Sequence, residues 1–279
     1  MSASEQASEQ RSTVGRLILF IASVNLLKGL GLVGGVIYQP LVYFFKEGLG
    51  WAPDQVTQFL SVLVLPWMLR PVYGLISDFV PICGYHRRPY IVLGNLLVLG
   101  GFLWITGISS PGLILVALYI TAFGLAISCT VTEAVLVEQG KKLTIAGKLL
   151  SVDSLFFNIG AITASLAGGW LTQHFPPQSA FHAAAWVVAF LPVAVLFISW
   201  CLVEEKKVIA NVTDTPRLQL PALGRVFFNK AMLVTAAYLF LWGVIPSFGI
   251  PLYYYMTDSL KFTQTKAETT RAKAENLKR

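Results

Sequence analysis

Charge is what this sequence has least of. Charged residues make up 13% of its 279 residues against a hydrophobic share of 55%, whereas a soluble domain carries roughly 25% charged residues. No charge occurs between Arg88 and Glu133, between Asp153 and Glu204, or between Lys230 and Asp258. Each stretch exceeds the ~20 apolar residues that cross a bilayer. With a mean hydropathy of +0.66, they exclude a chain that faces water on all sides and mark an integral membrane protein. Cysteine is scarce too: Cys83, Cys129 and Cys201 follow no spacing motif, so neither a disulfide framework nor a metal site is indicated. No nucleophile constellation, metal cluster or glycine-rich phosphate loop argues for an enzyme, and no cofactor is expected. The net charge of +7 does not point to nucleic acid, because the basic residues sit between apolar segments, where they orient helices across a membrane.

The apolar runs are continuous, which favours helices over the alternating pattern of barrel strands. Seven spans are expected, at roughly 17–45, 56–77, 89–108, 112–137, 149–173, 182–203 and 231–256. Ser109-Ser110-Pro111-Gly112 separates the third from the fourth, and Phe175-Pro176-Pro177 the fifth from the sixth, since proline cannot continue a helix interior. The domain reading is therefore a disordered cytoplasmic tail at 1–16 and a six-helix bundle at 17–203. A cytoplasmic central loop at 204–230, a seventh helix at 231–256 and a polar basic tail at 257–279 follow. With the N-terminus inside, the cytoplasmic segments hold twelve lysines and arginines, while the outer connections before the seventh helix hold only Lys46. That asymmetry predicts a cytoplasmic N-terminus.

The ends of the first and seventh spans match at an offset of 211 residues. Pro40-Leu41-Val42-Tyr43-Phe44-Phe45-Lys46-Glu47-Gly48-Leu49-Gly50-Trp51 aligns with Pro251-Leu252-Tyr253-Tyr254-Tyr255-Met256-Thr257-Asp258-Ser259-Leu260-Lys261-Phe262. Proline, leucine, tyrosine, an acid, leucine and a large aromatic recur in register. Many transporters are built from such repeats. On that reading the seventh helix opens a second half, no eighth span follows it, and the chain is expected to be a truncated one.

Charges inside spans are costly and usually face a bundle interior. They are Lys28, Arg70, Asp78, Glu133 and Asp153, with Glu138 and Lys148 near cytoplasmic ends. For Asp78, Glu138 and Lys148, a helix-end charge reaching water is an equally good account. Lys28 and Glu133 lie deep within their spans and are expected to pair or to meet a ligand. Lys28 also opens a glycine-dense run, Lys28-Gly29-Leu30-Gly31-Leu32-Val33-Gly34-Gly35, and the seventh span has a comparable weak point from Gly243 to Pro251. Interrupted spans at matching places point to a midplane binding site. Small residues at four-residue spacing, Gly160-Ala164-Gly168 and Gly124-Ser128-Thr132, read as packing faces.

The loop after the second span is the most specific local feature. Gly74 and Asp78 precede Arg87 and Arg88. An aspartate facing a basic pair can form a charge-assisted latch, made in one conformation and broken in another.

That glycine, aspartate and arginine pair resembles the loop motif of the major facilitator superfamily. More narrowly, Leu65-Pro66-Trp67-Met68-Leu69-Arg70-Pro71-Val72-Tyr73-Gly74-Leu75-Ile76-Ser77-Asp78 and Pro81-Ile82-Cys83-Gly84-Tyr85-His86-Arg87-Arg88-Pro89-Tyr90 look like the folate–biopterin transporter family. Glu133-Ala134-Val135-Leu136-Val137-Glu138 is similar to its fourth-helix acidic motif, and Gly147-Lys148-Leu149-Leu150-Ser151-Val152 to its fifth helix. The chain departs from the family pattern at Lys28, Cys129, Glu133 and Lys148, which alters the charge of the cavity.

The resemblance implies an all-α membrane protein: the six-helix N-terminal bundle of a major-facilitator-type transporter, plus a seventh helix. It implies secondary transport of a folate or pterin, moved with protons, with a C-terminal half as the missing partner. Folates are anionic, so Lys28 and Arg70 are the expected counter-charges, with Asp153 beside them in the substrate site. Glu133 and Asp153 are the expected proton-linked carboxylates. Gly74, Asp78, Arg87 and Arg88 are the expected latch. Two alternatives stand beside this: another facilitator branch, of muropeptide or acetyl-CoA type, and a non-transporting membrane remnant or partner subunit.

Overall fold

Inside a bilayer a chain satisfies its backbone within itself by forming helices or a closed barrel, and the continuous apolar runs of this sequence take the first route. The computed structural model describes residues 3–31, 35–82, 84–85, 87–202 and 249–262, with residues 230, 233–234, 237–238 and 241 between them. Among these, all regular structure is helical, and one isolated bridge, Ile82 to Tyr85, closes a loop. The elements are α1 (Ala3–Gly31), α2 (Tyr38–Tyr43), α3 (Pro53–Ser61), α4 (Leu65–Met68) and α5 (Arg70–Phe79), then α6 (Arg88–Ile105), α7 (Pro111–Lys142), α8 (Ala146–His174), α9 (Pro177–Leu202) and α10 (Gly249–Asp258).

Among the described residues, six stretches are long and apolar enough to cross a membrane: Val14–Gly31, Pro53–Asp78, Arg88–Ile105, Pro111–Lys142, Ala146–His174 and Pro177–Ser199. They correspond to the first six expected spans, except that the first, expected over 17–45, ends as a helix at Gly31, and a separate short helix, α2, follows at Tyr38–Tyr43. Most of the central loop and of the seventh span, at 204–229 and 242–248, lies outside the described residues, and α10 is the end of that span.

Three details differ from the sequence reading. The segment expected as a disordered tail is helical from Ala3, because its alanine, glutamate and glutamine are good helix formers. The second span is three helices joined by a 3₁₀ turn at Val62–Val64 and a break at Leu69. Pro66 and Pro71 each sit in the first turn of a new helix, the position proline tolerates. The sixth span likewise starts earlier than expected, at Pro177.

Two helix pairs carry the bundle: α6 lies along α7, and α1 along α8. Glycine brings each pair together. A methyl on Gly29 would collide with the Phe157 carbonyl oxygen and lie 2.9 Å from the Ala161 nitrogen; one on Gly160 would strike the Leu26 carbonyl. Gly94 and Gly124 face each other in the same way. The small-residue stripe Gly160, Ala164 and Gly168 is thus a buried packing face. At one end of the bundle, aromatic rings fill the core. Phe44 stacks on Phe181 at 5.3 Å, and Phe45 meets both Trp51 and Phe59 at 4.7 Å.

The 211-residue repeat is visible in the backbone. Trp51 N–H donates to the Phe45 carbonyl at 3.0 Å, and Phe262 N–H to the Met256 carbonyl at 2.9 Å. Leu49 donates to Phe44 at 3.1 Å, and Leu260 to Tyr255 at 3.2 Å. Between them Gly50 and Lys261 both take positive φ, 67° and 50°. Each pair of positions differs by 211, so the two helix ends close with one geometry around a left-handed residue.

Candidate functional site

The site grows from Glu133 on α7. Its Oε1 accepts from Lys28 Nζ at 2.8 Å, and its Oε2 is paired with an Arg70 guanidinium nitrogen. Lys28 lies in the last turn of α1 and Arg70 opens α5, so three helices meet at one carboxylate. Arg70 Nε also donates to Thr130 Oγ1 at 3.1 Å, one turn before Glu133 on the same helix face. Gly74, one turn beyond Arg70, faces the same turn of α7: a methyl there would make an ordinary contact with the Thr130 methyl at 3.7 Å. Both cations are backed by rings: Lys28 lies 5.7 Å from the Phe157 centroid and Arg70 5.5 Å from that of Trp67.

Placing one carboxylate between two cations satisfies charges that would each be expensive alone in hydrocarbon. Lys28 is the most enclosed, with 15% of its side chain accessible against 40% for Glu133. Asp153 on α8 lies within electrostatic reach of Lys28 and Glu133, beside Asn25, whose amide donates to the Ile21 carbonyl at 2.9 Å. One oxygen of Asp153, Oδ1, is buried and takes no hydrogen bond among the described residues.

A cavity of about 30 Å³ opens at this cluster. Asn25, Lys28, Asn95, Ser128, Cys129, Thr132 and Glu133 are among the residues that line it. Asn95 donates to the Ser128 hydroxyl at 2.8 Å, so the small face of α7 packs against α6 and lines the cavity at once. The cavity holds a few waters at most, far less than the ~300 Å³ of a small-molecule site.

The second cluster lies on the loop between α5 and α6. Arg87 pairs with Asp78 at 2.6 Å, donates to the Ser77 hydroxyl at 3.0 Å, and reaches Glu138 on α7 at 3.9 Å. Lys142 closes on Glu138 at 2.8 Å, one turn along. Tyr90 donates to the Val80 carbonyl at 2.7 Å and ties the start of α6 to the end of α5, where the loop begins. Arg88 is the first residue of α6 and is half-buried. Ser77 and Glu138 are the additions here. Glu138 was visible as a helix-end charge, but its meeting with Arg87 depends on how α7 is rotated.

A third cluster was missed. Lys46 donates to Thr257 Oγ1 at 2.6 Å, pairs with Asp258 and lies 3.6 Å from Glu47. Its ammonium stands 4.8 Å from the Tyr254 ring centroid, and Tyr254 donates to the Trp51 carbonyl at 2.9 Å. The signal was present: the two segments aligned at an offset of 211 are the two that touch.

Residues 30–273 match the BT1 family. The chain is 26% identical over 251 residues to a folate-biopterin transporter of Synechocystis sp., covering 88% of this chain and 49% of that protein. A probable folate-biopterin transporter 4 of Arabidopsis thaliana is 30% identical over 188 residues, which is 65% of this chain and 37% of the relative. Folate transporter 1 of Plasmodium falciparum is 24% identical over 228 residues, 80% and 44% of the two chains. The chain spans half or less of the length of these relatives.

Proposed function

The chain belongs to the BT1 family, and on that premise we propose that it acts in secondary transport of an anionic folate- or pterin-type solute, coupled to protons through Glu133. Relatives named as folate and folate-biopterin transporters support the solute class. The observation that carries the mechanism is the single carboxylate held between Lys28 and Arg70 at the mouth of a cavity within the bundle.

The chemistry is an exchange of partners. A solute carboxylate entering the site competes with Glu133 for the two cations. Glu133 then becomes a carboxylate without a counter-charge in a low-dielectric site, a costly state that a proton removes. Solute binding and proton uptake are thereby linked in one event. When the solute leaves, Lys28 and Arg70 return to Glu133 and the proton is released. Asp153, with its unsatisfied Oδ1, is a second carboxylate within electrostatic reach of Lys28 and a second acceptor for the proton.

The two peripheral clusters suit opposite ends of such a carrier. With the N-terminus inside, the Asp78–Arg87–Glu138 cluster is cytoplasmic and the Lys46–Asp258 pair is external. Each sets an enclosed cation against partly exposed carboxylates, and such pairs near the surface are worth little individually and so can be made and broken as the bundle rocks. Proteoliposome uptake tests the reading. Labelled folate should accumulate under an inward proton gradient and lose the excess when the gradient is collapsed. Accumulation of a muropeptide in place of folate and biopterin would overturn the solute class, and absence of flux for every solute would overturn transport by this chain.

A further inference from the structure

The ionic cluster accounts for the carboxylates of a solute and leaves its ring without a seat. Beside that cluster, on α4, α5 and α7, stand Trp67, Tyr73, Tyr119 and Phe123. We propose that Tyr73, Tyr119 and Phe123 form an aromatic seat for the planar heterocycle of the solute, a subsite distinct from the cations that take its carboxylates. The inference rests on the reading that the solute is a pterin or a folate.

Position comes first. Tyr119, Phe123, Thr130 and Glu133 follow one another on α7 at intervals of four, seven and three residues, which places them on one helical face. That face runs from the aromatic pair directly into the Arg70–Glu133 contacts. From α5, Tyr73 reaches Phe123 edge-on at 6.1 Å, and Phe123 meets Tyr119 edge-on at 5.2 Å. Trp67 is occupied, lying under the Arg70 guanidinium. The two T-shaped contacts among the other three take two of their six ring faces, which leaves faces that no other ring covers among the described residues for a further offset stack.

Exposure comes second. All four aromatics are half-buried, whereas the rings of the core, such as Phe45 and Phe181, are sealed. The four lie within the second and fourth membrane-spanning stretches, where a tyrosine hydroxyl turned to hydrocarbon would lack a hydrogen-bond partner. Tyr73 adds a specific vacancy: its Oη is buried and has no hydrogen-bond partner among the described residues. Buried hydroxyls are normally satisfied, and a pterin offers ring nitrogens, an oxo group and an exocyclic amine along one edge.

Length comes third. At 1.5 Å per residue, Phe123 lies about 15 Å from Glu133 along α7. A folate has its ring at one end and its carboxylates at the other, separated by an extended benzoyl-glutamate arm of comparable reach. Biopterin has the ring and no carboxylates, so the aromatic seat also accounts for recognition of a solute that the cations cannot hold.

The test uses the purified full chain in nanodiscs and three probes: biopterin (ring alone), p-aminobenzoylglutamate (carboxylates alone) and folate (both). Phe123→Leu, which keeps an apolar side chain, should weaken biopterin and folate on the order of tenfold, the worth of a lost aromatic stack, and leave p-aminobenzoylglutamate within twofold. Tyr73→Phe, which keeps the packing, should weaken biopterin at least threefold, and it decides the matter if Phe123→Leu fails to fold. Unchanged biopterin affinity in Tyr73→Phe and in a folded Phe123→Leu overturns the seat, as does an equal loss for p-aminobenzoylglutamate. A wild-type chain that binds p-aminobenzoylglutamate but no ring compound overturns the seat and leaves the anion site standing. A chain that binds none of the three overturns both.

Discussion

Lys46 and Thr257 share a hydrogen bond of 2.6 Å across 211 residues of sequence, the offset at which the two helix ends repeat. Equivalent positions of the two segments therefore touch each other, as they do where a two-fold axis passes between two related elements. The neighbouring acids complete the contact: Asp258 pairs with Lys46 from one segment, and Glu47 lies 3.6 Å away on the other.

This contact should be a weak clasp. Lys46 is enclosed but Asp258 is 58% exposed, which places the pair among surface ion pairs. A double-mutant cycle of Lys46→Met and Asp258→Asn, read by thermal unfolding in detergent, should give a coupling of about 0.5–1 kcal/mol. A coupling indistinguishable from zero would mean that α10 is held by its buried side chains, Tyr253, Tyr254 and Met256 among them, and not by the ion pair.

Helix approach at Gly29 and Gly160 makes a steric prediction. Gly29→Ala or Gly160→Ala should destabilise the bundle by about 1–3 kcal/mol, the usual cost of overpacking. Gly15→Ala, on the same helix but with open space around it, should be neutral or stabilising by about 0.5–1 kcal/mol. Equal melting behaviour of Gly15→Ala and Gly29→Ala would contradict the packing account.

Asp78 belongs to the loop cluster and touches Arg87 at 2.6 Å, away from the cavity-lining residues. Asp78→Asn should lower solute flux several-fold while leaving solute affinity within a few-fold. Normal flux, or a loss confined to binding, would remove the latch role.

These clusters were unequally legible in the sequence. Lys28 and Glu133 stood out because each is isolated in a long uncharged run, where pairing is the inexpensive solution. The Asp78–Arg87 contact was readable from its spacing across a short loop, which leaves little freedom. Arg70 joining Glu133 was not readable, because that contact depends on the break at Leu69 and the restart of the helix at Arg70, and the prolines on either side do not announce its direction. Lys46 was counted only as an orientation charge. The 211-residue match contained its partner, but sequence similarity between two segments does not say that they touch. Tyr73, Tyr119 and Phe123 were lost among 18 phenylalanines and 10 tyrosines, since half-burial is a property of the fold.

Glu133 should separate coupling from binding. Glu133→Gln keeps a hydrogen-bonding side chain and removes the ionisable group, so proton-driven accumulation should disappear while solute exchange across the membrane continues. Loss of exchange together with accumulation, in a variant that still folds, would make Glu133 a structural member of the ion cluster.

The central claim is that Lys28 takes a carboxylate of the solute, and one comparison tests it directly: half-saturating concentrations of folate and of biopterin for the wild-type chain and for Lys28→Gln. Truncating one partner of a buried charge contact costs about 2–5 kcal/mol. The account therefore predicts that the folate constant rises tenfold or more while that for biopterin, which carries no carboxylate, stays within twofold. An equal rise for both solutes in a folded Lys28→Gln chain would contradict it and leave Lys28 and Glu133 as a purely structural pair.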